Sequence, residues 1–257
     1  MRLAALLLAC AACRTAVPAG PPPDAVRFLE RVRAAHASPT TMSCDARAFV
    51  EAPENGGRYS LHLAARRDQS LRIEALTPLG DPAAVLVADA GRFALLDLRD
   101  NVFYRGSSSP ENLSRLLPAP LRADELVSLL TGAFPELPAA EPVLLERAGD
   151  GWHLRLSTVP PGTTTVLGYV QDLWLGGDLR IGEVRRSTAS GKLLWTVRLD
   201  EFDDASGVLL PRLIHLSAPD RKTEIDLRLK NLLAQKPPPG GAFLLGVPAG
   251  MRVEELP

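Results

Sequence analysis

Strict alternation of apolar and polar side chains is the feature that most restricts the fold of this 257-residue chain. Five segments carry the pattern most clearly: 61–63, 71–74, 152–156, 193–200 and 224–230. A period of two places every second side chain on the same face of a β-strand. The pattern therefore predicts a sheet with one apolar face and one face in contact with water, as antiparallel sheets commonly have.

Turn-forming residues separate these segments and indicate about ten strands that are joined mainly by hairpins. Clusters rich in Gly, Asp, Asn and Ser lie at 54–57, 89–91, 149–151, 176–178, 190–191 and 203–207. The sequence shows neither βαβ units nor internal repeats. We therefore expect a mainly β fold, in which a curved antiparallel sheet or unclosed β-barrel carries a few helices.

Two segments have helical periodicity instead. Asp24 can cap a short helix that ends near Ala37. From Pro110 to Phe134 the alternation stops, and the stretch from Arg122 to Thr131 predicts a helix that Gly132 is suited to end. We expect these helices to pack on the apolar, concave face of the sheet.

The apolar positions of the strands and of the second helix are the candidates for the wall of a cavity. They are Trp152, Leu154, Trp195, Val197, Ile225 and Leu227 on strands, and Leu126, Leu129 and Leu130 on the helix. All three tryptophans, Trp174 included, are interpreted as core or cavity wall. A barrel with helices inside leaves an apolar cavity, whereas tighter packing gives a filled core. The periodicity is compatible with both.

The sequence carries no recognisable pattern for catalysis or metal binding. A nucleophile elbow, a zinc-protease motif, a P-loop and a dinucleotide fingerprint are all missing. The four histidines, His36, His62, His153 and His215, are scattered, and His62 and His153 occupy polar strand positions that indicate solvated side chains. A net charge of −1 argues against nucleic-acid binding. We therefore predict a protein that is not an enzyme and has neither a metal nor a cofactor.

The N-terminus has the pattern of an export signal, with Arg2 before an aliphatic run that ends at cysteines. Such an ending resembles the lipobox of bacterial lipoproteins, whose acylated cysteine becomes the first residue of the mature chain. The resemblance implies a signal peptide over 1–12 with lipidation at Cys13, or alternatively at Cys10. A Pro/Gly-rich tether over 13–23 and a single domain over 24–257 then follow. No apolar stretch reaches the ~18 residues of a membrane helix.

The choice of lipidated cysteine bears on the remaining thiol and on the destination of the chain. If Cys13 is acylated, Cys44 is unpaired. If Cys10 is acylated, Cys13 and Cys44 are both available to form a disulfide. The residue after the cysteine is Arg14 or Ala11 rather than the aspartate that retains enteric lipoproteins in the inner membrane. We therefore expect anchoring in the outer membrane, facing the periplasm.

One region carries a more specific resemblance. The segment 71–80 is a strand that runs into a Pro-Leu-Gly turn, another strand follows at 84–88, and 121–132 is leucine-rich and helical. Near the C-terminus, 230–253 combines a final strand with Phe243 and a Val-Pro-Ala-Gly turn. Over roughly 47–257 the chain resembles LolB, the outer-membrane lipoprotein receptor, and the LolA/LolB lipoprotein-localisation fold group.

The resemblance implies an unclosed β-barrel whose apolar cavity binds the acyl chains of lipoproteins or lipids. It also implies delivery by a periplasmic LolA-like carrier, and an exposed leucine at the turn, here Leu79, that helps to insert acyl chains into the membrane. Pro82 and the segments 135–142 and 159–166 depart from the family pattern. These departures leave open an envelope scaffold or sensor of the same fold that binds a protein partner.

Overall fold

A computed structural model describes residues 22–53, 56–109, 111–113, 119–163, 167–205 and 207–257. The proposed signal peptide, both candidate lipidation sites, Cys10 and Cys13, and most of the tether lie outside these residues. In the described chain, fourteen strands form one continuous curved sheet that does not close. The expectation of a mainly β fold with a few helices is confirmed, although the strands exceed the ten that the turns indicated.

The helices and strands that the structure describes have the following bounds. They are α1 (Ala25–Ala35), β1 (Thr41–Glu51), β2 (Gly57–Arg66), β3 (Ser70–Leu76), β4 (Pro82–Asp89), β5 (Arg92–Asp97), β6 (Val102–Ser107), α2 (Ala123–Leu130), β7 (Glu141–Ala148), β8 (Gly151–Ser157), β9 (Tyr169–Gly176), β10 (Ile181–Thr188), β11 (Leu193–Ala205), β12 (Val208–Ala218), a 3₁₀ turn (Pro219–Arg221), β13 (Thr223–Ala234) and β14 (Arg252–Leu256).

The sheet consists of two antiparallel meanders, and pairing between one strand of each joins them at the centre. Strands β1 to β6 follow one another across one half, and β7 to β13 follow one another across the other. The halves join where β1 pairs with β13, from Met42 opposite Ala234 to Glu51 opposite Glu224. Strand β14 extends the β6 edge in the parallel direction, so β14 and β7 are the two open edges.

Helix α1 covers the concave face near β7 and β8. The Asp24 carboxylate caps it by accepting a hydrogen bond of 3.0 Å from the backbone N–H of Arg27. Phe28, Leu29 and Val32 form its buried stripe, and the Phe28 ring lies 5.3 Å from the Trp152 ring. The predicted first helix is thus present, two residues shorter than expected.

Helix α2 covers the middle of the same face. It ends as predicted, with Gly132 at φ +74°, a conformation that costs glycine little. The Arg67 guanidinium holds this end by donating to the carbonyl oxygens of Pro39 (2.8 Å) and Thr131 (3.4 Å). No helix among the described residues has the length and hydrophobicity of a membrane span.

The convex face departs from the expected wet surface over β4 to β6. There Val85, Val87 and Phe103 are buried on the convex side, and Phe243 of the segment 235–251 packs on them. This segment carries the chain from the end of β13 across the convex face to β14. Because both faces of β4 are covered, residues Val85–Ala88 are all buried, and β4 shows no alternation of buried and exposed side chains.

Two aromatic residues on the convex side of β8 and β9 also differ from expectation. Trp174 is not a wall of the concave face, because it pairs with His153 and stacks on it at 4.8 Å. His153 is buried rather than solvated, since its ring nitrogens lie 2.9 Å from Glu146 Oε1 and 2.7 Å from Asp172 Oδ1. His62, by contrast, is exposed, as its position predicted.

Cys44 lies on the concave side of β1 and is buried. Burial raises the pKa of its thiol to about 12, with a smaller contribution from Asp45. The thiol is therefore protonated and unreactive at neutral pH. The alternative pairing with Cys13 involves a residue outside the described chain.

His36, at the C-terminal end of α1, should make the free energy of unfolding depend on pH. His36 Nε2 donates to the Leu179 carbonyl oxygen at 2.9 Å, yet burial lowers the pKa of the imidazole below its ordinary value. The unfolded ring gains a proton near pH ~6.5, whereas the folded ring resists protonation. The contribution of His36 is therefore complete above this pH and is lost as the pH falls through the lowered folded pKa.

We expect the free energy of unfolding to fall less between about pH 7.5 and 5.5 in His36→Gln than in the parent chain. The Gln amide can still donate to Leu179 but does not titrate. Urea unfolding at both pH values measures the difference. Equal losses in the two chains would contradict the assignment.

Candidate functional site

The nine residues selected from the sequence as a cavity wall all belong to one apolar cluster on the concave face. Trp152, Leu154, Trp195, Val197, Leu129 and Leu130 are buried, and Ile225, Leu227 and Leu126 are partly buried and pack against them. They come from β8, β11, β13 and α2, which are far apart in sequence. The curvature of the sheet brings them together, and α1 contributes Phe28, Leu29 and Val32 to the same cluster.

The cluster is filled rather than hollow. Leu129 and Leu154, from opposite sides of it, are each no more than 2% exposed, so side chains occupy the space between helix and sheet. A cleft with a volume of about 540 Å³ lies beside it. Its lining is Pro120, Arg122, Glu125, Leu137, Pro138, Thr158, Tyr169, Arg186, Leu194, Trp195, Asp220 and Arg221. Trp195 belongs to both the cleft and the cluster.

Strand pairing places this cleft at one end of the sheet, which we call the upper rim. The upper rim carries the turns 77–81, 98–101, 189–192 and 219–222. The opposite end, the lower rim, carries the turns 67–69, 90–91 and 177–180. The N-terminal end of α2 lies at the cleft, whereas its C-terminal end lies near Arg67 at the lower rim.

A buried ion pair joins α2 to β10 in the wall of the cleft. Arg186 Nη1 of β10 lies 2.6 Å from Glu125 Oε1 of α2, and their side chains are only 7% and 4% exposed. The other oxygen of Glu125 accepts a 2.9 Å hydrogen bond from the backbone N–H of Arg122 at the start of the helix. One carboxylate therefore satisfies the helix terminus and joins the helix to the sheet.

Further contacts provide partners for the remaining part of the Arg186 guanidinium. Its Nε donates to Gln171 Oε1 at 3.0 Å, and Gln171 Nε2 donates to the Pro135 carbonyl at 2.9 Å. The guanidinium also lies 4.9 Å from the Trp195 ring centroid, a distance for cation–π attraction. Burial lowers the pKa of Arg186 despite the opposing effect of Glu125, and so unfavourable desolvation accompanies this contact.

Leu79 lies on the upper rim with its side chain turned outward. It is 91% exposed, the largest fraction among the large apolar side chains of the described chain. The turn around it is closed by hydrogen bonds from Thr77 N to Asp81 O (2.7 Å) and from Gly80 N to Thr77 O (3.0 Å). Gly80 has φ +94°, which favours glycine, and no other residue covers it. The turn therefore presents Leu79 to its surroundings instead of folding it over the rim.

The sequence reading missed the ion pair, although strand geometry offered a signal. Arg185 and Arg186 are adjacent in a strand, so their side chains must point to opposite faces and one of them must face the apolar side. Gln171 and Asp172 are also adjacent in a strand, so one of these two polar side chains must face the apolar side as well. Register pairs Arg186 with Gln171 on the concave face and Arg185 with Asp172 on the convex face.

The convex face over β7 to β13 carries ion pairs between neighbouring strands and one within β10. Asp172 accepts from His153 and from Arg155 Nε at 2.7 Å, and Glu183 lies 2.7 Å from Arg185 and 3.1 Å from Arg198. Within the described ranges, no group of three or more His, Cys, Asp or Glu side chains is arranged to hold a metal ion.

Three solved structures share this architecture. A LolA superfamily protein from Nitrosomonas europaea matches with a TM-score of 0.57 and 13% identity, covering 84% of this chain and 96% of its own. A putative outer membrane lipoprotein-sorting protein domain from Vibrio parahaemolyticus matches with a TM-score of 0.61 and 12% identity, covering 86% and 96%. A DUF1329 family protein from Desulfovibrio piger matches with a TM-score of 0.62 and 12% identity, covering 86% and 98%.

Comparison by sequence adds no relative, since no protein-family model and no curated protein matches the chain. At identities of 12–13% the structural likeness concerns the fold. The expectation of the LolA/LolB fold group is confirmed at that level.

The buried pair predicts an asymmetry between single and double substitutions. Arg186→Met leaves the Glu125 charge buried without its partner and should lower the free energy of unfolding by ~3–5 kcal/mol. Combining Arg186→Met with Glu125→Leu removes both charges and should recover most of that loss. Urea unfolding of these two variants and of the parent chain measures the effect.

The exposed pair between Arg33 and Glu136, at 2.8 Å, provides the matched control. Glu136→Gln should cost at most ~1 kcal/mol, because solvent screens the charges. A loss for Arg186→Met no larger than for this control would show that the buried pair does not hold α2 to the sheet.

Proposed function

We propose that this chain is a membrane-anchored lipoprotein that binds acyl chains of lipoproteins or lipids and helps to insert them into the outer membrane. The observation that carries the proposal is the convergence of nine candidate wall residues on one apolar cluster beneath a helix held by a polar contact. The fold shared with a lipoprotein-sorting domain supports it. The action is one of binding and release, without catalysis.

Acyl chains reach the cluster in this proposal by displacing α2 from the sheet. Each methylene that leaves water contributes ~0.8 kcal/mol, so a chain can replace the apolar contacts that the helix gives up. Separating Glu125 from Arg186 exposes both charges to water in the cleft. Because hydration then offsets much of the lost attraction, the pair restrains the helix without fixing it permanently.

The exposure of Leu79 supports assigning it as a residue that directs acyl chains into the membrane. It projects from the same rim on which the cleft opens. An exposed leucine gains free energy when it enters an apolar layer. The N-terminal lipid, at Cys13 or Cys10, would keep this rim near the outer membrane, and a LolA-like carrier in the periplasm would supply the cargo.

The filled core favours a second candidate, an envelope scaffold or sensor that binds a protein partner. In that case the concave cluster is a structural core and α2 stays in place. Acyl binding by the full chain distinguishes the two.

A fluorescent palmitoylated peptide should bind the full chain, whereas the same peptide without its acyl chain should not. Leu126→Gln and Leu227→Gln place an amide in the cluster at partly buried positions and should weaken binding roughly tenfold or more. Fluorescence polarisation measures the affinity. Arg228→Gln, on the convex side next to Leu227, is the control and should bind like the parent chain.

Urea unfolding verifies that the Leu126 and Leu227 variants remain folded. Unchanged affinity in folded variants, or equal binding of both peptides, would contradict the acyl-chain proposal. Crosslinking in envelope extracts would then identify the protein partner of the scaffold.

Leu79→Glu should leave peptide affinity unchanged and slow transfer of the bound peptide to vesicles roughly tenfold, because a charge replaces the apolar tip. Leu79→Met keeps an apolar side chain and should transfer at the parent rate. Transfer is followed by energy transfer from the peptide to a dye in phosphatidylethanolamine and phosphatidylglycerol vesicles. Normal transfer by Leu79→Glu would remove Leu79 from the delivery step.

A further inference from the structure

We propose that the whole upper rim faces the membrane and that Leu167, in the connection between β8 and β9, is a second lipid-contacting residue. The inference rests on the proposed function, which requires a membrane-facing surface, and it assigns that surface to one end of the sheet. Its partner is a lipid bilayer rather than a protein.

Exposed apolar side chains are distributed unequally between the two ends of the sheet. On the described strands and turns, eight large apolar side chains that are at least 36% exposed lie at or near the upper rim: Phe49, Tyr59, Leu79, Leu98, Val143, Leu167, Tyr169 and Val253. Two lie at the lower rim, Leu209 and Leu233, and the segment 235–251 adds Leu244 and Val247 close to the lower-rim turn 90–91. Apolar exposure concentrated at one end is the pattern of an interaction surface.

Leu167 is the second most exposed of these side chains, at 80%, after Leu79 at 91%. The two leucines come from opposite halves of the sheet, since β3 and β4 belong to one meander and β8 and β9 to the other. They therefore lie on both sides of the central β1–β13 pair. A surface that contacts a bilayer at two separated points fixes its orientation, which one leucine alone does not.

The connection that carries Leu167 is held firmly at its base. The backbone N–H of Tyr169 donates to Thr158 Oγ1 at 2.9 Å, and the N–H of Ala189 donates to the Gly168 carbonyl at 2.9 Å. Gly168 has φ +129°, and a side chain there would overlap Val159. These contacts tie the end of the connection to Thr158 and to the neighbouring turn, and Leu167 next to them is exposed.

The cleft opens on the upper rim and supports the assignment of this rim to the membrane. Tyr169, half-exposed on the same rim, lines the cleft together with Trp195, which belongs to the concave cluster. Tyrosine suits the boundary between water and apolar layers because its ring and hydroxyl satisfy both. An acyl chain that leaves through this opening enters the bilayer without exposing its methylenes to water.

The test measures the depth of individual positions in the membrane. Four variants of the full chain, Leu79→Cys, Leu167→Cys, Leu209→Cys and Leu233→Cys, are labelled with a fluorophore, and labelling of the parent chain is subtracted. Each is reconstituted into phosphatidylethanolamine and phosphatidylglycerol vesicles that contain nitroxide-labelled lipid. We expect strong quenching at positions 79 and 167 and little at 209 and 233, the matched lower-rim positions of about half exposure.

Quenching at position 79 without quenching at 167, or equal quenching at both rims, would overturn the inference. Palmitoylated-peptide binding is measured on the same variants and reports separately on the proposed function. If the peptide binds while position 167 stays unquenched, the rim assignment fails and the acyl-binding proposal stands. If position 167 is quenched and the peptide does not bind, the rim contacts lipid but the acyl-binding proposal fails.

Discussion

An open curved sheet leaves one large apolar face that must be covered, and this requirement organises the rest of the molecule. A closed barrel fills its interior with its own side chains, but fourteen strands that end at free edges cannot do so. Helices α1 and α2 supply the cover, and their buried residues join those of the strands in one cluster. At ~25 cal/mol per Å² of apolar surface, this burial is the main favourable contribution to the fold. The elements of the cover thus determine whether the face is accessible.

The two covering helices are attached by different physics. The stripe of α1, which includes Phe28 and Val32, is fully buried, and the Phe28 ring packs on Trp152. Helix α2 combines apolar contacts with the Glu125–Arg186 pair at its N-terminal end. Separating apolar surfaces exposes them to water and becomes less favourable as more area is exposed. When a buried ion pair separates into a cleft, hydration of the two charges replaces much of their lost attraction. If the cover opens as proposed, the N-terminal end of α2 is the end at which the separated charges would meet water, because Glu125 and Arg186 line the cleft.

The sequence pattern predicted the elements whose formation depends on residues close to them in the chain. Alternation gave the strands of the β8–β13 half, the change of period located α2, and Gly132 marked its end, because each depends on nearby residues. Two features depended on distant parts of the chain and were missed. The buried run Val85–Ala88 exists because the segment around Phe243 covers a second face of β4. Arg186 is buried because Glu125, sixty-one residues away, neutralises it. Neither partner can be identified from the local pattern, although two adjacent arginines in a strand show that one must face inward.

The distribution of polarity gives the molecule a direction. The convex face is made polar by ion pairs between strands, as at Glu183 and Arg198, or is covered by the C-terminal segment. The concave face is apolar but filled, and both rims carry charged turn residues, such as Asp68 and Asp178 at the lower rim and Arg99, Asp220 and Lys222 at the upper rim. The upper rim differs from the lower rim in carrying the two most exposed leucines, Leu79 and Leu167, and the cleft that reaches Trp195. Because burying leucine is favourable and desolvating charge is costly, the proposed orientation would place the two leucine side chains in the apolar layer and leave the charged turn residues in water.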